Sequence, residues 1–271
     1  MLAFPNAKIN LGLNVTGIRP DGFHEIETVI VPVGLRDVLE IIPSGEHPFE
    51  FQNSGLTIPG KMGENLCLRA YDLLGKEFLI PSVKMHLHKM IPMGSGLGGG
   101  SSDAAFTIKL LKTLFSLSLN TSQMMQYAAR LGSDCAFFIG NEPAFAGGRG
   151  DSFEPVELNP AGFSVMIIIP PVHVSTAEAY KHVPVIKPGE SIRDILKSSP
   201  FEWRNRLVND FEDSVFQRYP EILQIKEKLY DEGAVYASMS GSGSAVYGLF
   251  DQHLPDLNSF QGCMTWTGKL L

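Results

Sequence analysis

The amino-acid sequence predicts an α+β fold, on three observations. Segments that alternate apolar and polar residues, as strands do, do not alternate regularly with helical segments, which sets aside a doubly wound parallel sheet. One long helical run, residues 104–117, follows a glycine-rich stretch that itself follows an alternating run, so a strand feeds a helix through glycines. The 271 residues, 44% hydrophobic and 19% charged, supply core enough for one large or two ordinary globular domains.

In chain order, residues 7–15, 25–33 and 38–42 alternate as strands. Residues 65–78 carry Leu66, Leu68, Ala70, Leu73 and Leu74 on one helical face. Residues 83–90 alternate again, then come the glycines and the long helix. Thr121 is suited to cap the next helix, and Gly132 to end it. Residues 144–151 are rich in turn formers and mark a boundary between domains at 1–150 and 151–271. Beyond it, 163–169 reads as an apolar strand. Residues 175–180, about 192–197 and 221–231 read as helices, and 234–239 and 245–250 as strands. The tail, 258–271, carries no functional signal.

Composition narrows the partners. Net charge is −7 with no basic run, which argues against nucleic acid and anionic membrane as partners. An anionic nucleotide would need local cations and Mg²⁺ rather than a general positive field. Cys67, Cys135 and Cys263 are widely spaced and form no CxxC pair, as expected of reduced thiols in a cytoplasmic protein. Residues 1–10 have no basic segment followed by an apolar one, so no signal peptide is expected there. The longest apolar run, 165–172, contains two prolines and is too short to cross a bilayer.

The stretch Pro92-Met93-Gly94-Ser95-Gly96-Leu97-Gly98-Gly99-Gly100-Ser101-Ser102-Asp103-Ala104-Ala105 holds five glycines in seven positions, then two serines. Glycine lets backbone N–H groups turn toward a ligand without a Cβ in the way. A helix N-terminus favours an anion there, so the loop is expected to bind phosphate. Gly94-x-Gly96-x-x-Gly99 satisfies a dinucleotide fingerprint, but a second helix follows where that fingerprint needs a strand. No Lys-Ser/Thr pair follows the last glycine, and no HRD or DFG triplet occurs, so it is neither a Walker A loop nor a protein-kinase loop. A turn without a ligand would need neither five glycines nor two serines. Ser101 and Ser102 could cap the helix or reach a phosphate or its Mg²⁺. Asp103 must either turn away from a phosphate or have Mg²⁺ between.

This stretch resembles the ATP-binding signature of the GHMP kinases. Two segments support the likeness: Pro5-Asn6-Ala7-Lys8-Ile9-Asn10-Leu11-Gly12-Leu13, running on to Arg19-Pro20-Asp21-Gly22-Phe23-His24, and Ser238-Met239-Ser240-Gly241-Ser242-Gly243-Ser244-Ala245-Val246-Tyr247. Leu131-Gly132-Ser133-Asp134 and Val174-Ser175-Thr176-Ala177 also fit, all in the family's order. The long Gly-Leu-Gly-Gly-Gly-Ser-Ser form is similar to the branch that acts on 4-diphosphocytidyl-2-C-methylerythritol in non-mevalonate isoprenoid synthesis.

The resemblance implies a two-domain fold with the active site in the inter-domain cleft, and ATP-dependent phosphorylation of that substrate's 2-hydroxyl. Other acceptors, such as homoserine, mevalonate or a sugar, and a non-catalytic nucleotide sensor are the alternatives. A monomer or homodimer is expected. Pro92 through Ser102 and Asn65 would bind ATP, with Ser102 the candidate Mg²⁺ ligand. By itself Asn65 could equally cap its helix. Asp134 reads unaided as a cap before an apolar run; the resemblance makes it the base that takes the acceptor proton. Lys8 reads unaided as an exposed strand lysine; the resemblance places it near that Asp and the transferring phosphate. His24, otherwise an ordinary surface histidine, would read the cytosine edge, with Phe23 and Tyr180 stacking on the ring. The family commonly has Tyr at Phe23, and Asn at Asp103. Asn10, Asp21 and Thr176 would touch the diphosphate or methylerythritol. Gly241 and Ser242, otherwise a plain hairpin turn, would close over phosphates or substrate. His86 and His88 share a strand face with no third metal ligand in view, and read as exposed strand residues.

Overall fold

The computed structural model describes residues 1–158, 162–181, 183, 185 and 188–271. The strands are β1 (Leu2–Ala3), β2 (Asn6–Ile18), β3 (His24–Arg36), β4 (Val38–Pro43), β5 (Glu50–Gly55), β6 (Val83–Lys89), β7 (Ala144–Gly147), β8 (Ser152–Pro155), β9 (Ser164–Ile169), β10 (Tyr236–Met239), β11 (Val246–Phe250) and β12 (Met264–Gly268). The helices are α1 (Leu66–Gly75), α2 (Gly99–Leu114), α3 (Thr121–Ala129), α4 (Ser133–Gly140), α5 (Thr176–Lys181), α6 (Ile192–Ile195), α7 (Glu212–Arg218) and α8 (Pro220–Asp231). The architecture is α+β, and the chain divides into two compact units. One comprises residues 1–7, 35–93 and 98–142; the other comprises 8–34, 94–97 and 143–271.

The first unit holds a sheet in the order β1-β4-β6-β5, antiparallel except for the β5–β6 pair. Strand β6 buries Val83, Met85, Leu87 and Lys89, while Lys84 and His86 point outward, the alternation that a half-buried strand requires. Helix α1 buries Cys67, Leu68, Ala70, Leu73 and Leu74, the face expected from its spacing. His86 and His88 sit as expected on the outer side, where each ring nitrogen meets the Ser54 hydroxyl, at 3.0 and 2.9 Å.

The second unit holds two sheets, β2-β3-β7-β8 and β10-β11-β9-β12. Its core draws Leu13 and Val15 from β2, Met166 and Ile168 from β9, and Phe211 and Ile222 from the helical side. Tyr247, fully buried on β11, donates to the Asn10 carbonyl at 2.7 Å.

Several boundaries differ from expectation for local reasons. Helix α2 begins at Gly99, five residues before the apolar run, because Gly98 turns the chain at φ 71° and the helix starts within the glycines. Helix α3 is capped by Asn120, not Thr121: the Asn120 side chain accepts from Gln123 N, and Gln123 reaches back to Asn120 N. Gly132 opens α4 rather than ending α3, and the apolar run after Asp134 is that helix, with Cys135 through Ile139 buried. Residues 144–147 are a strand, and the turn is confined to the residues after it, where Gly148 and Gly150 take positive φ. Strands β5, β8 and β12 and helix α7 had no sequence expectation. β5 is largely polar and lies at a sheet edge, so it lacks the alternation of a half-buried strand. β12 gives the tail its place, at the edge beside β9.

Candidate active site

In the first unit α2 begins at the last glycines of the glycine-rich stretch. Gly98 is the N-cap, and Ser102 N donates back to Gly98 O at 2.9 Å. The first-turn N–H groups of such a helix have no intrahelical acceptor and carry its positive end. Ser101 and Ser102 therefore lie inside the first turn and cap nothing. The Ser102 hydroxyl is enclosed and has no hydrogen-bond partner. Beside this turn is a small cavity of about 60 Å³ lined by Ile58, Pro59, Asn65, Leu66, Met93 and Gly100, among others. It brings together Asn65, Met93 and Gly100 of the expected ATP set. Asn65 is also the N-cap of α1, its Oδ1 accepting from Cys67 N at 2.8 Å.

Asp103 turns away from the loop. Its Oδ2 accepts from Lys89 Nζ at 2.6 Å, and Lys89 also meets Asp37 Oδ2 at 2.5 Å, all three groups buried. Asp37 Oδ1 accepts from Met90 N and Ile91 N, so Asp37 is well satisfied, while Asp103 Oδ1 has no partner. Burial, and then the neighbouring Asp37 charge, outweigh the Lys89 ammonium and push the Asp103 carboxyl up to about 7. Against burial, which pulls it down, the two carboxylates hold Lys89 above its ordinary value. The sequence reading missed this triad, because Lys89 ends a strand face that is otherwise apolar.

Asp134 lies in the first turn of α4, half-buried, behind the N-cap Gly132. It is not the capping residue. Its neighbour Cys135 has its thiol pushed up to about 11 by burial, against a hydrogen bond with Ser101.

In the second unit Lys8 is buried on β2, not exposed. Its Nζ donates to Asn10 Oδ1 at 2.6 Å and to the Gly96 carbonyl at 2.8 Å. The Ser240 hydroxyl donates to the same Gly96 carbonyl at 3.0 Å. Residues 240–245 do join antiparallel strands, but not as a plain turn. Asn209 Nδ2 holds the Met239 and Gly241 carbonyls, both at 2.8 Å. A Cβ on Gly241 would sit 3.3 Å from Asn10 Oδ1 and 3.5 Å from Lys8 Nζ, so Lys8, Asn10, Gly96 and Gly241 form one cluster. Thr176 and Ser242 meet hydroxyl to hydroxyl at 3.0 Å. Asn209 and Ser240 had no expected role, and no periodicity or motif spacing singles out Asn209.

The pyrimidine residues are divided. His24 stacks on Tyr180 with ring centroids 4.6 Å apart, and Tyr180 meets Phe211 edge-on at 4.7 Å. Phe23 is 55% exposed and lies under the Arg149 guanidinium at 5.0 Å. Asp21 accepts from Phe23 N at 3.2 Å and from Arg19, which shapes the turn leading to His24.

Not every loop glycine is there for a ligand. A Cβ on Gly96 would lie 2.0 Å from Ser240 O, one on Gly94 2.5 Å from the His173 ring, and one on Gly99 2.8 Å from Ile91. Close packing therefore requires these three as strictly as an anion would.

Known proteins match this arrangement from end to end. The pattern of the GHMP kinases N terminal domain matches residues 65–142, and that of the GHMP kinases C terminal matches 190–257. The 4-diphosphocytidyl-2-C-methyl-D-erythritol kinase of Bacteroides thetaiotaomicron is 50% identical over 274 residues, covering 100% of both chains. That of Azobacteroides pseudotrichonymphae is 48% identical, over 96% of this chain and 97% of its own. A crystal structure of 4-(cytidine 5'-diphospho)-2C-methyl-D-erythritol kinase superposes with a TM-score of 0.81 at 30% identity, covering 100% of this chain and 99% of that one. The Methanococcus jannaschii mevalonate kinase shares the fold, with a TM-score of 0.74 at 14% identity. With both GHMP patterns in place and full-length relatives at about half identity, the chain belongs to the 4-diphosphocytidyl-2-C-methyl-D-erythritol kinase family of the GHMP kinases.

Proposed function

We propose that the chain transfers the γ-phosphoryl group of ATP to the 2-hydroxyl of 4-diphosphocytidyl-2-C-methyl-D-erythritol, releasing ADP. The observation that carries this reading is the 50% identity, over the whole of both chains, to a relative bearing that activity in its name. The geometry supports the following assignment of parts. Phosphoryl transfer depends on positioning and charge neutralisation more than on covalent chemistry. The triphosphate lies along residues 96–102 against the first turn of α2. The adenine lies toward Asn65 and Met93. Asp134 accepts the proton of the attacking hydroxyl. The Lys8 ammonium, held by Asn10 and the Gly96 carbonyl, offsets the charge that develops on the transferring group.

We place the cytosine at the stacked His24–Tyr180 pair, a reading that the pairing of an aromatic face with a histidine supports. The base enters against Tyr180, and His24 turns to its polar edge. Phe23, which lies under the Arg149 guanidinium, is assigned to stack on the ring's other face. Asp21 keeps the turn in shape, and Thr176 with Ser242 faces the diphosphate.

The residues present do not offer Mg²⁺ a site of their own. The Ser102 hydroxyl is enclosed, and Asp103 is spent on Lys89. Among the described residues, no group of three or more His, Cys, Asp or Glu could hold a metal. Magnesium would come with the nucleotide, held by phosphate oxygens and several waters, and no step here runs through it.

Among the described residues, no helix is long and apolar enough to cross a membrane. Cys67, Cys135 and Cys263 are free thiols, and we infer a cytoplasmic enzyme acting on a small molecule. The test is ADP release with Mg·ATP across a panel of acceptor alcohols. The cytidine diphosphate substrate should be used far faster than homoserine, mevalonate or galactose. Faster turnover of any of those three would remove the substrate assignment.

A further inference from the structure

Lys8 is aimed by a chain of hydrogen bonds whose far end is a residue with no role so far. Lys8 Nζ donates to Asn10 Oδ1 at 2.6 Å. Asn10 Nδ2 donates to Thr28 Oγ1 at 3.1 Å. The Thr28 hydroxyl spends its one proton on the Gly12 carbonyl, at 2.5 Å. All three side chains are nearly inaccessible, with Lys8 and Asn10 4% exposed and Thr28 1%.

The direction of the chain is forced. An ammonium only donates, so the oxygen of the Asn10 amide must face Lys8. That turns the Asn10 NH₂ group toward Thr28, where it needs an acceptor. Thr28 accepts through a lone pair, while its own proton points away to the Gly12 carbonyl. Gly12 stands in the left-handed region at φ 65°, and a Cβ there would meet Leu207 at 2.6 Å, so this carbonyl is firmly placed. Removing the Thr28 oxygen would leave a buried amide N–H without an acceptor. Such a group is costly, and the amide would rotate or shift to find a partner. Lys8 would then lose the oxygen that fixes its Nζ beside the Gly96 carbonyl.

We propose that Thr28 is a positioning residue. Its hydroxyl sets the orientation of the Asn10 amide and, through it, the place of the Lys8 ammonium during phosphoryl transfer. The proposal rests on the reading of Lys8 given above. Thr28 touches no substrate in it, so ATP binding is left intact.

Thr28→Val keeps the shape and removes the hydroxyl, and Thr28→Ser keeps the hydroxyl. In Thr28→Val, kcat should fall about 10-fold or more, as expected when a reacting group is misplaced by a fraction of an ångström. KM for ATP should change less than about twofold, and Thr28→Ser should restore most of kcat. In a Lys8→Ala background, Thr28→Val should slow the remaining turnover no further, because its effect passes through Lys8. Unchanged kcat in Thr28→Val would overturn the proposal. So would an equal further loss in the Lys8→Ala background, which would mark a merely structural role. Should Thr28→Val fail to fold, Thr28→Cys keeps the volume with a much weaker acceptor for the Asn10 amide and should show the same selective loss. A Lys8→Ala enzyme with full activity would instead sink the underlying reading of Lys8, a result distinct from failure of Thr28 alone.

Discussion

In the proposed mechanism Asp134 is the base. Its place, half-buried in the first turn of α4 behind Gly132, removes the capping explanation that its sequence context suggested. Asp134→Asn keeps the shape and removes the base. We expect kcat to fall by roughly 10²–10⁴-fold with both substrates still bound. Near-full turnover in a folded variant, measured by ADP release, would contradict the role. We assign the choice of base to His24. Cytosine and uracil differ at position 4 by an amino donor against a carbonyl acceptor, and a site matched to one leaves buried polar groups unpaired with the other. Stacking tolerates both. His24→Ala should therefore narrow the ratio of kcat/KM between the cytidine and uridine forms while leaving ATP affinity unchanged. A ratio that stays as in the parent enzyme would assign the discrimination elsewhere.

At the scale of elements, the loop before α2 is packed tightly against the 240–245 turn. Gly96 has φ 79°, and its Cα faces Ser240 O so closely that a methyl would lie at 2.0 Å. Gly96→Ala thus meets both a left-handed backbone and a carbonyl that cannot withdraw, since Ser240 N is bonded to Ala245 O. We expect a loss of about 1–3 kcal/mol from the strain, with more from the clash. The melting temperature should drop by several degrees and ATP binding should weaken, read by thermal melts and calorimetry. An unchanged melt and affinity would mean the loop is slack. This contact also explains a limit of the sequence. Glycine's tolerance for an anion and its tolerance for a close neighbour leave the same letter at the same position. The strand before the loop and the helix after it were legible because their periodicity is local. The start of α2 was not, because glycines carry no periodicity. Helix α4 was obscured because its residues are apolar all round, which removes the stripe that marks a surface helix.

At the scale of the whole molecule, the buried triad ties stability to pH. Asp103 holds its proton up to about 7 when folded and releases it at an ordinary carboxylate value when unfolded. Between those values the folded protein binds more protons than the unfolded one, so stability falls as pH rises through that window and the loss is complete above it. Asp103→Asn removes the titrating group and leaves Lys89 paired with Asp37. The melting temperature of the variant relative to the parent should therefore rise from pH 5 to pH 8. A difference independent of pH would show that Asp103 is ionised throughout. The sequence by itself determined the α+β class, the glycine-rich loop at a helix start, and the family, because periodicity and ordered motifs are properties of neighbours in the chain. It pointed through that family to Lys8, Asp134 and His24. Only the tertiary structure decided that Lys89 closes on Asp37 and Asp103, that Lys8 is buried against a carbonyl 88 positions away, and that Asn209 and Thr28 stand behind the site. A buried polar group reveals its purpose through the partner that satisfies it, and that partner is chosen by strand register and packing, which no local pattern records.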